Sequence, residues 1–198
     1  ALISHCFTKA VEWGWMAPAP NLKKHKEPRG RIRYLDEDEL VRFLSSCRKS
    51  PCPLLYPAVV LTLSTGIRRG EMWNLRWQDI DLDLGRIVLL VTKNKDRRGV
   101  PVTGEALQEL RDLAKVRRID SDLVFPSPKA VGAYDLRAVF AAAVRDAGIT
   151  DFRWHDLRHT CASYMAMQGV PLRTIAEILG HRTLQMVQRY SHLSPEHL

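Results

Sequence analysis

The chain has 198 residues, 45% hydrophobic and 26% charged, an ordinary globular balance that can bury a sizeable core. Its longest apolar run, around Pro57 to Leu63, is too short to span a bilayer, and its opening residues lack the pattern of a signal peptide. A net charge of +8 and a pI of about 9.6 fit a polyanionic partner, either nucleic acid or an anionic membrane, although a merely basic soluble protein would carry the same excess.

Ala1 in place of Met reads as the start of a piece of a longer protein. Residues 3 to 14 place Ile3, Phe7 and Val11 at i, i+4 and i+8, which predicts a short amphipathic helix. Residues 1–17 then read as the last element of an upstream domain. MAPAPNLKKHKEPRGRIR follows, with three prolines and the six cations Lys23, Lys24, Lys26, Arg29, Arg31 and Arg33. An extended basic linker is expected over residues 18–34, with these cations along a polyanion. The main domain is expected over residues 35–198. Its acidic opening, Asp36 to Glu39, suits the positive end of a helix dipole. PLLYPAVVLTLSTG predicts a buried helix ending at Gly66, and RRGEMWNL a short helix after it.

GRIVLLVTK alternates and is rich in β-branched residues, which predicts a strand paired with GVPVT across a polar turn, KNKDRRG. Helices are then expected in GEALQELRDLAKV, AYDLRAVFAAAVRDAG, HDLRHTCASYMAMQG, PLRTIAEILG and TLQMVQRY. The expected fold class is α+β: mainly α with one small antiparallel β-sheet. Cys6, Cys47, Cys52 and Cys161 form no CxxC pair or zinc-ligand spacing and read as free, buried thiols.

His155 and Arg158 lie three apart on a predicted helix, so they share a stripe near its N-terminus with His159, opposite a core face of Leu157, Cys161 and Tyr164. A positive helix end with Arg and His can seat a phosphate, although alone the stripe reads as a solvated face. His155 and His159 at i, i+4 could ligate a metal, but HExxH and a third ligand are absent. Arg68 opens the helix after Gly66 and can fork two phosphate oxygens, with Glu71 one turn on to orient it; alone the two read as a surface ion pair. Lys93 stands where a strand meets a turn. His181 follows Gly180, and Tyr190 comes nine residues later, a position usually given to packing.

Taken together, the order Arg68, Lys93, His155-x-x-Arg158, His181, Tyr190 resembles the tyrosine recombinases of the phage integrase type. TGIRRGE is similar to the family's first arginine box, TKNKDRRGVPV to its β-hairpin lysine segment, HDLRHT to its H-x-x-R box and LGHRTLQMVQRYSHL to its closing His-to-Tyr box. The likeness covers residues 35 to 196. It implies the catalytic-domain fold of the DNA breaking-rejoining enzymes and site-specific recombination through a 3′-phosphotyrosyl intermediate, for integration or excision of a mobile element such as a viral genome. Tyr190 would be the nucleophile. Arg68 and Arg158 would clamp the scissile phosphate, and His155 and His181 would bond its oxygens and assist proton transfer. Lys93 would protonate the leaving 5′-oxygen, with Lys95, two residues on, as a DNA contact and the alternative for that role, and Glu71 would support the clamp.

The implied partners are a double-stranded DNA attachment site, further copies of the chain in a tetrameric synapse and accessory directionality or DNA-bending proteins. The implied location is the bacterial cytoplasm, at the nucleoid, with no membrane partner. No cofactor is expected. Phosphoryl-transfer enzymes usually stabilise developing charge with Mg²⁺ held by carboxylates, and no carboxylate cluster is present; two arginines and two histidines are fixed donors of the same kind. A phosphotyrosine also stores the bond energy, so rejoining needs no ATP. Three other readings stay open: a helix-turn-helix DNA-binding module over VPLRTIAEILGHRTLQMVQRY, a type IB topoisomerase and a metal phosphohydrolase.

Overall fold

The computed structural model describes residues 2–18, 20, 22, 31–91, 96–128, 132–181 and 183–195, with the backbone alone at 90, 91, 96 and 97. Two compact units divide at Arg31 and Ile32. The first holds helix α1 (Leu2–Glu12), none of whose residues is buried. Its expected apolar stripe is uncovered, with Ile3 64% exposed, and Trp13 and Trp15 meet edge-on at 4.8 Å while remaining mostly exposed. Cys6 is exposed too, against the expectation of four buried thiols; Cys47, Cys52 and Cys161 are buried.

The second unit begins at Ile32, earlier than the expected Leu35. Residues 33–35 are tied into it: Arg33 pairs with Glu39 at 2.5 Å, and the Leu35 amide donates to Thr160 Oγ1 at 3.1 Å. Helix α2 (Glu37–Arg48) starts on a reciprocal cap in which Asp36 accepts the Glu39 amide and Glu39 accepts the Asp36 amide. Helix α3 (Leu55–Thr65) is apolar nearly all round and accordingly buried. It ends at Gly66 with φ of 60°, where a Cβ would stand 2.3 Å from Leu179 Cδ2, so the left-handed turn and the close approach both require glycine. Helix α4 (Arg69–Trp73) follows.

Strands β1 (Ile80–Asp81), β2 (Arg86–Val91) and β3 (Asp96–Pro101) form an antiparallel sheet in that order, with Ile87 opposite Val100 and Leu89 opposite Arg98. The two-residue β1 was not expected. The polar stretch KNKDRRG is not all turn either, because the ladder continues to Val91–Asp96. Backbone pairing tolerates polar residues there, and Arg98 has a part-buried carboxylate partner, described below. Helices α5 (Gly104–Lys115), α6 (Arg137–Asp146), α7 (Trp154–Met167) and α8 (Leu172–Leu179) complete the helical layer.

One core cluster gathers Phe43, Phe140, Phe152 and Trp154 among α2, α6 and the start of α7. Another gathers Ala162, Ala166, Ile175, Leu179, Val187 and Tyr190. Two expectations are corrected there. Helix α7 has no solvated polar stripe: from Asp156 to Ser163 every residue is buried, Arg158 and His159 included, because α3, α8 and the last turns of the chain all pack on it. TLQMVQRY is not an α-helix but two 3₁₀ segments, Leu184–Met186 and Gln188–Leu193. Val187, Tyr190 and Leu193 recur every third residue, the spacing that aligns side chains on one face of a 3₁₀ turn. Among the described residues α8 is followed by 3₁₀ turns and no second α-helix, so the expected helix-turn-helix is not seen.

Candidate active site

The last turn of a helix leaves carbonyls without intrahelical donors. At the end of α8 three arginines from three separate elements take three successive ones. Arg98 Nη1, on β3, donates to Ile178 O at 2.7 Å. Arg158 Nη2, on α7, donates to Leu179 O at 2.7 Å. Arg68 Nη2, just ahead of α4, donates to Gly180 O at 2.6 Å. Cations also suit the negative end of the α8 dipole. Gly180 has φ of 64°, which favours glycine, and a Cβ there would stand 2.8 Å from Arg98 Nη1 and press on that guanidinium.

Glu71 bridges two of the three. It accepts from Arg68 Nη1 at 2.8 Å, from Arg98 Nη2 at 2.6 Å and from the Arg68 amide at 3.0 Å. Burial pushes its carboxyl up, but the Arg68 amide and the two guanidiniums outweigh that and hold it below the ordinary carboxylate range. Arg158 is 3% exposed and also donates to Gly66 O at 2.5 Å. Burial, then repulsion from Arg68 and Arg98, pulls its pKa down to about 10, still charged at neutral pH. Glu71 is bonded to Arg68 and Arg98, so one carboxylate stands against two of the three guanidiniums and the cluster suits an anion.

His181, next after Gly180, is half-buried, and its Nδ1 finds no hydrogen-bond partner among the described residues. Burial, followed by Arg158, Arg68, Arg189 and Arg98, pushes its pKa down to about 4, so it is neutral at pH 7. His155 is exposed at the start of α7, its ring edge-on to His159 at 5.0 Å. His159 Nδ1 lies 2.5 Å from the Tyr190 hydroxyl. Tyr190 itself is 1% exposed; burial pushes its phenol up to about 12 against the opposing pull of Arg189 and Arg158.

Arg68, Glu71 and Arg158 thus meet around the end of α8, with His181 adjoining; His159, the neighbour of Arg158, links His155 to Tyr190. Lys93 and Lys95 lie outside the described residues, as do Lys23, Lys24, Lys26 and Arg29. Arg31 is exposed. Arg33 departs from its expected place in the linker, because Glu39 and Tyr34 O hold its guanidinium and the Phe152 ring lies against it. Two residues were missed as site members. Arg98 shares its strand face with Val100 and Val102, so period-two alternation already pointed it inward. His159 was read as part of a polar stripe, and its signal was adjacency to Arg158. No group of three or more His, Cys, Asp or Glu suited to a metal occurs among the described residues.

The depressed His181 pKa carries a pH prediction. Between its ordinary value of 6.5 and about 4, the unfolded chain binds a proton that the folded chain does not. Stability should therefore fall as pH drops through that window. Urea melts at pH 7 and pH 5 should lose about 1 kcal/mol less in His181→Gln than in wild type, after allowance for partial solvent screening of a half-buried ring. Equal losses in the two proteins would remove His181 as the source.

A helical domain with a small antiparallel sheet, three arginines gathered at one helix end and a buried tyrosine near the close of the chain is the architecture of a tyrosine recombinase catalytic domain, and the comparisons with known proteins agree. The sequence pattern described as the phage integrase family matches residues 33–197, and the chain belongs to that family. It is 35% identical to the integrase of Salmonella phage P22 over 202 residues, covering 94% of this chain and 50% of that protein. It is 36% identical to tyrosine recombinase XerC of Xanthomonas axonopodis pv. citri (strain 306), covering 92% of this chain and 61% of that one. The chain thus spans half to about three-fifths of these relatives. Among solved structures, the XerA recombinase superposes with a TM-score of 0.72 at 30% identity, over 86% of this chain and 64% of that one. The catalytic domain of bacteriophage HP1 integrase gives 0.66 at 29% identity, over 84% and 91%.

Proposed function

We propose that this chain is the catalytic domain of a site-specific DNA recombinase that integrates or excises a mobile element through a 3′-phosphotyrosyl intermediate on Tyr190. The observation that carries this reading is the convergence of Arg68, Arg98 and Arg158 on three successive carbonyls, with Arg158 near enough to Tyr190 for the two to interact electrostatically. In the proposed reaction the Tyr190 oxygen bonds to the scissile phosphorus and its proton passes to a neighbouring histidine, while the bond to the 5′-oxygen breaks and that oxygen takes a proton from Lys93. Arg68 and Arg158 face the charge that grows on the nonbridging oxygens, and His155 and His181 bond those oxygens and assist proton movement. Glu71 fixes the direction of Arg68, and Arg98 holds Glu71 in turn. Reversal with a different 5′-hydroxyl rejoins strands.

The substrate is double-stranded DNA carrying an attachment site. Solved complexes of fold relatives include the Tn1549 transposon integrase with circular intermediate DNA, with a TM-score of 0.78 at 19% identity. Self-association into a tetramer on DNA, accessory directionality or DNA-bending proteins and a nucleoid location in the bacterial cytoplasm belong to the same proposal. So do the upstream-domain remnant and the linker cations Lys23, Lys24, Lys26, Arg29 and Arg31 as phosphate contacts. No described helix is long and apolar enough to cross a membrane. The test is incubation with a library of nicked duplexes of randomised sequence. A covalent adduct on a denaturing gel, mapped by mass spectrometry to Tyr190, is expected; an adduct elsewhere, or none, overturns the reading.

Lys93 is proposed as the general acid. The departing 5′-oxygen is strongly basic, and a proton delivered as its bond breaks is worth about 10²–10⁴-fold. A 5′-bridging sulfur leaves without a proton. Lys93→Ala should therefore be slow on a duplex recovered from the library and near wild type on its 5′-phosphorothiolate form, whereas Lys95→Ala should show a modest defect that sulfur does not rescue. The reverse pattern would move the assignment to Lys95, and rescue of neither would move it to His181.

A further inference from the structure

Tyr190 is the largest fully buried side chain of the domain, packed with Val187 against α7 and α8. A buried hydroxyl needs a partner, and among the described residues the Tyr190 hydroxyl meets His159 Nδ1 at 2.5 Å. His159 is 8% exposed, in the middle of α7, one residue from Arg158. Its χ1 freedom is restricted by the helix, and its ring is edge-on to His155, so it is a rigid point of attachment. The segment that carries Tyr190 is the opposite: two short 3₁₀ turns after Gly180, with Leu184 and Met186 half-exposed. Such turns make poorer hydrogen bonds than an α-helix and cannot themselves aim a side chain firmly.

We propose that His159 is a positioning residue for Tyr190: its Nδ1 accepts the phenol hydroxyl and keeps the oxygen beside Arg158 as DNA arrives. This rests on the reading of Tyr190 as the nucleophile. With its proton on Nε2 the ring accepts through Nδ1, and Tyr190 donates. The clamp holds the phosphate and His159 holds the attacking atom, from adjacent positions on one helix. The raised phenol pKa agrees with a hydroxyl kept in its neutral, donating form until attack.

An amide isostere separates this from a packing role. Asparagine carries an acceptor oxygen at the position of Nδ1, whereas glutamine places its amide near the position of Nε2 and leucine has no acceptor. In single-turnover cleavage of a nicked duplex recovered from the randomised library, His159→Asn should stay close to wild type. His159→Gln and His159→Leu should fall by roughly 10–10²-fold, because a misplaced nucleophile forfeits alignment. DNA affinity should be equal in all four proteins. An Asn variant as slow as Leu, or a Leu variant at the wild-type rate, would overturn the proposal. Should Leu fail to fold, the Asn–Gln difference decides. The second readout needs no DNA. With 3-fluorotyrosine incorporated and the Tyr190 resonance assigned from Tyr190→Phe, the fluorine signal should hold its position in the Asn variant and shift in Gln and Leu. A signal indifferent to all three would overturn the proposal even where wild type forms no adduct, an outcome that instead counts against the recombinase reading.

Discussion

Tyr190→Phe is expected to bind DNA as the wild type does and to form no covalent adduct at all. Only the phenolic oxygen is removed, and no neighbouring group can replace it as nucleophile at that point. The ring stays buried among Ala162, Ala166, Ile175, Leu179 and Val187, so the local packing survives. What the fold loses is the bond to His159, at a cost of about 0.5–1.5 kcal/mol, which urea melts can read separately from cleavage. Adduct formation by the variant at any measurable rate would mean that another residue attacks the phosphate, and the proposed mechanism would fail with it.

The second large effect separates chemistry from scaffolding within the arginine cluster. Arg68→Ala and Arg158→Ala should each lower single-turnover cleavage by on the order of 10²-fold or more, with far smaller losses in DNA affinity, because they act on charge that grows in the transition state. Their stabilities should diverge. Arg158 is 3% exposed and serves Gly66 O and Leu179 O, so its removal strands two carbonyls and should cost about 2–5 kcal/mol. The Arg68 side chain is 38% exposed, and Glu71 keeps its bond to Arg98 without it, so that loss should stay below about 1 kcal/mol. Rate and affinity losses of equal size would reduce both residues to phosphate anchors. Equal stability losses would contradict the different burial of the two side chains.

Much of this molecule was legible in one dimension because the signals are local. The acidic opening of α2 at Asp36 to Glu39, the apolar run of α3, the glycine that ends it and the alternation of β2 each need only a few neighbouring residues to be read. The order of Arg68, His155, Arg158, His181 and Tyr190 was legible for another reason: each sits in a local context similar to one recombinase family. β1 escaped notice because two residues carry no periodicity. The last segment was misread as α-helix because Leu184, Val187, Tyr190 and Leu193 fit three-residue spacing as well as helical spacing, and only packing against α7 and α8 selects between them.

Local pattern therefore determined most of the element order and the helical class with its small sheet, and resemblance to one family added the candidate site residues. The assembly of those residues belongs to the tertiary structure. Arg98, Arg158 and Arg68 meet the end of α8 from 80, 21 and 112 residues away in the chain. No periodicity encodes that meeting, because it arises from a need local sequence does not express: three carbonyls at a helix end must be satisfied once the helix is packed. The same holds for His159 and Tyr190, 31 residues apart. Read along α7, His159 is one polar residue in a stripe; once α3, α8 and the 3₁₀ turns close over that stripe, burial obliges it to find a partner, and the partner is the proposed nucleophile.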